Sequence, residues 1–412
     1  MVIKDYSKIW VWLFLDIYLP SIIMAIARGM LTITLPLYLI SAGLDPVYVG
    51  LGSASIALGN LLLDIPGGVI LRITGEKIFT RISMIVLSLS SLGMVFLQHP
   101  WILVMLSIIF GGGRSMWLLA RRYVITYYVE YQYRGRASSF IGMSERLGTF
   151  IGPGIVALVI DRLGYPWVFL TCFTLTVIAG MLNIAASRLP MPGNRIDSEI
   201  EARHRYHAQD LAASQNQPGL LSLAAFSVAQ IAVQGVRSSR NLLVPIIGKG
   251  IGMSDSSVSL AVSISGALDV LSSYPAGVIM DKKGRHVAVM ISFSIMAIGF
   301  LLLAITNNET LFYASVLTIG FGNGFGSGTM ITMGADIVSR MRSDRGAIFL
   351  AIWQFIGDLG SAVFPISIGL AISIWGVSVS STVISAISTS IVIAFRTAIS
   401  DKIRRTAQPR QG

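Results

Sequence analysis

The chain has 412 residues, of which 54% are hydrophobic and 12% charged, and its formal net charge is +11. Soluble domains carry about twice that charged fraction, so a water-soluble fold is excluded. The basic balance does not indicate nucleic acid. The 31 Lys and Arg gather in the termini and in alternate loops, such as Arg121/Arg122, Arg134/Arg136 and Arg340 to Arg345, which is the bias that sets membrane topology and meets anionic lipid.

Apolar runs of about twenty residues, the length that crosses a bilayer, recur at roughly 12–40, 47–71, 78–98, 101–124, 137–160 and 165–187. Six more follow at roughly 220–247, 256–280, 287–306, 310–338, 346–374 and 377–396. Such runs must be helices, because only a helix satisfies its own backbone in lipid. The expectation is an all-α, multi-pass protein of the cell membrane with twelve transmembrane helices and both termini in the cytoplasm. Lys4 and Lys8 before an apolar run, with Ala25-Ile-Ala27 after it, resemble a cleavable leader. The run continues to Ile40, however, so it reads as the first span. The single cysteine, Cys172, excludes an internal disulfide framework.

The chain repeats itself. Residues 28–77 align without a gap onto 237–286, placing Arg28, Pro36, Gly43, Pro66, Gly68 and Gly75 on Arg237, Pro245, Gly252, Pro275, Gly277 and Gly284. This gives a six-helix unit at 1–187, a polar cytoplasmic linker at 188–219, and a second unit at 220–412. Both units start inside, so they are parallel repeats. His204 and His207 in the linker have i, i+3 spacing, which suits a metal, but a solvated helix face is the favoured reading and no metal or cofactor is expected.

"GVILRITGEK" and "GVIMDKKGRH" occupy matching positions, with Arg72 and Glu76 in the first copy and Asp281 and Arg285 in the second. The second resembles the loop signature of the major facilitator superfamily (MFS) of secondary transporters, and "RGRA" and "DRGA" are similar to further family motifs. Gly148-x-x-x-Gly152-Pro153 resembles the family's antiporter motif, although its closing glycine pair is replaced by Val156 and Ala157. The resemblance extends over almost the whole chain. It implies two pseudo-symmetric bundles, with drug or metabolite exporters as the nearest kind of member. It also implies a cytoplasmic gate at Gly68, Arg72, Gly75, Glu76, Gly277, Asp281, Gly284 and Arg285. Each opposite-charge pair is four apart, so it closes on itself if the helix continues through the turn.

Ionisable residues inside spans are costly and mark working sites. They are Arg28, Arg114, Arg146, Arg237 and Arg240 against Asp64, Glu145, Asp269 and Asp358. On the fold that the resemblance implies, their spans surround a central cavity. Arg28 and Arg237 are repeat equivalents, and in the organophosphate antiporters of this superfamily paired arginines on helices 1 and 7 grip the anion. The substrate-binding candidates are therefore Arg28, Arg237, Arg240, Arg114, Gln234 and Trp353. Asp269, Glu145, Asp358 and Asp64 are candidates for carrying a proton. Arg146, Gly148, Gly152 and Pro153 are assigned to the interface between halves, with an Arg146–Asp358 bridge expected. Structural pairing of Arg28 and Arg237 with Asp64 and Asp269 is the competing explanation.

The expected function is proton-coupled efflux of a drug-like or organic-anion metabolite by alternating access. A uniporter or symporter for an organic anion or phosphate ester is the alternative, and a membrane sensor a remote one. No mid-span His, nucleophile cluster or phosphate loop occurs, so an enzyme is not expected. A small-molecule substrate, protons and lipid are the expected partners of a monomer.

Overall fold

The computed structural model describes residues 12–129, 131–186, 220–326, 328–338 and 343–407. His204 and His207 lie outside the described residues. Regular structure among the described residues is helical, without strands.

A π-helical turn, Phe14–Tyr18, leads into α1 (Leu19–Ser41). Then come α2 (Pro46–Asp64), α3 (Pro66–Thr74), α4 (Glu76–Phe96), α5 (Pro100–Tyr128), α6 (Tyr131–Leu163) and α7 (Tyr165–Ala186). The second half holds α8 (Leu220–Gly250), α9 (Asp255–Lys283), α10 (Arg285–Ala304), α11 (Glu309–Phe325), α12 (Thr329–Val338), α13 (Ser343–Trp375) and α14 (Val377–Ala407). Ten helices, among the described residues, are long and apolar enough to span a bilayer. The two expected spans outside that set have physical reasons. Helix α8 carries Gln230, Gln234, Arg237, Arg240 and Asn241 along its length. The tenth run is broken between α11 and α12, where Gly328 has φ 82°. The second run also breaks, at Pro66, into α2 and α3.

The repeat is written into the turns. Asp45 accepts from the Val47 amide at 3.0 Å and caps α2. Ser254, its repeat partner, accepts from the Ser257 amide at 3.1 Å and caps α9. Gly75 and Gly284 follow α3 and α9 at φ 75° and 93°, a left-handed backbone that a side chain resists.

Within the first half α1 packs on α6 and α7, α2 on α5, and α4 on α5 and α7; the second half repeats this with α8 on α13, α9 on α11, and α10 on α11 and α14. The halves meet chiefly through α2 against α13 and α6 against α9. Small residues set those crossings. A Cβ on Gly50 would strike the Pro365 carbonyl, and one on Gly266 would strike that of Thr149. Leu62, Leu158, Met181, Leu271 and Ile298 point outward, as lipid-facing positions should.

The Gly75 and Gly284 turns lie at one end of the bundle, together with Arg72, Arg81, Lys282 and Lys283; this is called the basic end. Trp101, Trp167 and Trp375 are exposed near the opposite, far end, where such rings favour a membrane–water boundary.

Candidate functional site

Three helices of the first half converge on one carboxylate oxygen. Glu145 Oε2 on α6 lies 3.2 Å from Arg28 Nε on α1 and 2.7 Å from Arg114 Nη2 on α5. Arg114 also reaches Asn60 on α2; with the amide oriented to suit its neighbours, Asn60 accepts from Arg114 Nη1 at 3.1 Å and donates to the Gly111 carbonyl at 2.9 Å. This approach is possible because α1 and α6 touch backbone to backbone. A Cβ on Gly29 would meet the Gly148 carbonyl, and one on Gly152 would meet Ile26 and Met30. Gly148 and Gly152 therefore work at the α1–α6 crossing, whereas Pro153 lines the cavity between the halves.

That cavity has a volume of about 80 Å³ and is lined by Arg28, Thr32 and Thr149 from one half and by Arg240, Asn241 and Ser265 from the other. Organic ligands need roughly 300–1,000 Å³, so in this conformation the space suits small groups only. The second half contributes its own cluster. Asp269 accepts from Asn323 Nδ2 at 2.5 Å and stands 3.8 Å from Arg240 Nη2. Arg237 lies behind, against Gly326 and Ser292, with Nε and one terminal nitrogen buried and unpartnered.

These positions revise the expected pairings. Arg240, which aligns with Leu31 in the repeat, shares the cavity with Arg28, and the repeat partner Arg237 does not. One turn of helix separates positions 237 and 240, and α8 turns the latter inward. Arg28 pairs with Glu145, not with Asp64. The Arg146–Asp358 bridge is absent. The acid acting on Arg146 is Asp269, whereas Asp358 accepts from Gln354 at 3.1 Å and lies near enough to Asp64 to feel its charge. Asp64 in turn accepts from Ser115 Oγ at 2.6 Å. Asp64 and Asp358 are thus neighbouring acids on either side of the α2–α13 contact, and Asp64 Oδ2 is buried without a hydrogen-bond partner. Gln234 packs on Gly357, and Trp353 donates to the Met330 carbonyl at 3.1 Å and packs on Gly334. Both brace α13, and neither lines the cavity.

The gate residues are also rearranged. Gly75 and Gly284 end their helices, so residues 72 and 76 lie on different helices, as do 281 and 285. The i, i+4 pairing does not form. Arg72 and Asp281 are exposed without an ion pair among the described residues, and a Cβ on Gly68 or Gly277 would meet nothing. Glu76 turns inward to Arg121 Nη2, at 3.3 Å.

Sequence reasoning missed that partner. Arg121 reads from sequence as a loop residue, yet its side chain is 0% exposed and lies over the Trp117 ring at 4.2 Å. Its Nη1 donates to the Asp16 carboxylate and carbonyl, both at 3.1 Å, and its Nη2 donates to Thr80 at 2.9 Å. Asn183 donates to Asp16 Oδ1 at 2.9 Å. An acid inside "WLFLDIYLP" was the available signal.

The far end is sealed by hydrogen bonds between halves. Ser373 donates to Asp45 at 2.6 Å, Tyr165 to Asp255 at 2.5 Å, and the Ser256 amide to Asp161 at 3.2 Å. The Ser373 hydroxyl and the Val47 amide hold the Asp45 carboxyl below the usual carboxylate range. At the basic end Arg122 reaches Gln354 across the halves at 3.5 Å.

The chain, with its two similar halves, matches known proteins along most of its length. A family model described as Major Facilitator Superfamily matches residues 17–235 and 226–411. The chain belongs to the Major Facilitator Superfamily. A relative named as the uncharacterized MFS-type transporter YcaD, from Salmonella enteritidis PT4, is 24% identical over 284 residues, covering 68% of this chain and 69% of its own. The same-named protein of Salmonella typhi matches to the same extent. Among solved structures, a POT family transporter in complex with a thioalcohol conjugated peptide has a TM-score of 0.77 at 12% identity, covering 97% of this chain and 98% of its own. The nucleoside transporter NupG has a TM-score of 0.68 at 16% identity, with 94% and 98% covered. The MFS chain is therefore a multi-pass membrane protein and a secondary transporter of a small molecule.

Proposed function

We propose that this MFS protein carries a small organic anion and couples its movement to protons. The carrying observation is the charge balance around the cavity. Arg28 and Arg240 line the cavity, and Arg114, Arg146 and Arg237 stand behind them, against Glu145, Asp269 and the neighbouring acids Asp64 and Asp358. Two neighbouring carboxyls away from water favour sharing one proton, which leaves those five positive charges against three negative. Guanidinium suits carboxylate or phosphate because its planar fork meets two oxygens. Residues 1–187 and 220–412 then rock about the site as two bodies joined by 188–219, with both termini cytoplasmic in the cell membrane. The Asp64–Asp358 pair spans the two bodies, so its proton is placed to couple to their motion. Export by proton antiport is supported by the likeness of Gly148-x-x-x-Gly152-Pro153 to the antiporter motif.

One observation favours a second reading, proton–anion symport. Glu145 Oε2 occupies both Arg28 and Arg114. An anion that takes those donors releases a half-buried carboxylate, which then gains a proton, so the two bind together.

Purified full-length protein is to be screened by thermal shift against dicarboxylates, phosphate monoesters, organic cations and neutral solutes, because a ligand stabilises the state it binds. Anions are expected to stabilise it; stabilisation by cations alone overturns the proposal. Proteoliposomes with a pH-sensitive dye and an outward anion gradient then decide the sign. Antiport acidifies the lumen and symport makes it alkaline.

A further inference from the structure

The charge cluster inside the first half shares no residue with the cavity lining and, among the described residues, has the opposite imbalance. Two carboxylates, of Asp16 and Glu76, face one guanidinium, that of Arg121. Helix α4 brings Thr80 and, beyond ion-pair range, Lys77. Helix α7 brings Asn183, α5 brings Trp117 and Arg121, and α6 brings the apolar Ala137 and Ile141. The side chains of Asp16 and Glu76 are only 6% and 11% exposed. An uncompensated charge at such a site is expensive.

We propose that Asp16 and Glu76 bind one proton between them, making this cluster a proton site separate from the substrate cavity. The hydrogen bonds place that proton on Glu76. Both oxygens of the Asp16 carboxylate already accept a hydrogen bond. Its Oδ2 takes Arg121, its Oδ1 takes Asn183, and its carbonyl takes both. That carbonyl lies in the π-turn Phe14–Tyr18, whose wider register shifts the helix's own bonding. Glu76 uses Oε1 toward Arg121 and Thr80, and its Oε2 is left to carry hydrogen. The proton comes from water at the basic end and forms an O–H bond at Oε2, taking the cluster from one net negative charge to zero. Glu76 is the first residue of α4, directly after the Gly75 turn, so the proton sits at the root of that turn.

The test is thermal unfolding of the purified full-length protein across a pH series, for the wild type, Glu76→Gln and Asp16→Asn. Unfolded carboxyls have released their protons above about pH 4. A folded state that still holds one binds more protons than the unfolded chain, so stability falls as pH rises until the proton leaves, by up to about tenfold in the folding constant per pH unit. Each amide variant leaves one acid facing Arg121, needs no proton, and is expected to lose that part of the slope and to gain on the wild type at alkaline pH. An unchanged slope in Glu76→Gln, with lower stability throughout, overturns the proposal in favour of two ionised acids held by Arg121. If Glu76→Gln cannot be purified, Asp16→Asn decides by the same slope. If neither variant folds the proposal also fails, because a site that holds a proton tolerates an amide at one of its acids.

Discussion

Arg114 and Arg121 lie seven residues apart on α5, two turns along almost the same face, yet they serve opposite economies of charge. Arg114 is part of a site with more guanidinium than carboxylate, partly open and lined by both halves. Arg121 is closed inside one half and outnumbered by carboxylates. Burial of charge therefore does not by itself mark a substrate site. The sign of the local surplus, and whether both halves reach it, separates the proposed anion site from the proposed proton site.

Removing each arginine breaks that comparison most directly. Arg121→Ala strands two buried acids, and losing one partner of a buried pair costs about 3–5 kcal/mol. Its melting temperature is expected to collapse whether or not ligand is present; a variant as stable as wild type would refute the closed-cluster description. Arg28→Ala leaves Glu145 paired with Arg114, so the fold is expected to survive. Charged hydrogen bonds contribute about 1.5–3 kcal/mol, which predicts roughly ten- to a hundredfold weaker anion binding by calorimetry, with partial recovery in Arg28→Lys. Unaltered affinity in a folded Arg28→Ala protein would remove Arg28 from the substrate site.

The far-end seal gives the smallest effect. Asp45 is exposed and its carboxyl is held low by Ser373 and Val47. A depressed acid adds to closure above its free value and loses that contribution as pH falls through the depressed one. Spin labels across the far end of α2 and α13 are expected to show slightly longer distances in Asp45→Asn and in acid. Wild-type distances that ignore acid would exclude Asp45 from the seal.

Much of this was legible in the chain. Runs of about twenty apolar residues left helices as the only backbone solution, and Gly43, Gly75, Gly252 and Gly284 marked turns that recur with the same left-handed backbone. The breaks at Pro66 and Gly328 were less legible, because an apolar run has the same composition on either side of a kink. The charged residues of the site were recognisable from their cost in lipid. Their partners were not, since pairing depends on rotation of one helix against another. Glu145, ranked as a proton carrier, stands between two arginines, and Arg122 was assigned to a loop yet reaches Gln354 in the other half.

The sequence by itself determined the membrane class, the helical architecture and the twofold internal repeat, because hydropathy and glycine turns are local properties that survive without knowledge of contacts. Only the tertiary structure decided that Arg240 and not Arg237 shares the cavity with Arg28, that Asp358 neighbours Asp64 and does not bridge to Arg146, and that Glu76 turns inward to Arg121. Those outcomes depend on helix rotation, on a one-residue glycine break and on backbone contact at Gly29 and Gly148. A sequence repeat fixes which positions correspond, but the packing of two diverged halves chooses which of them face each other.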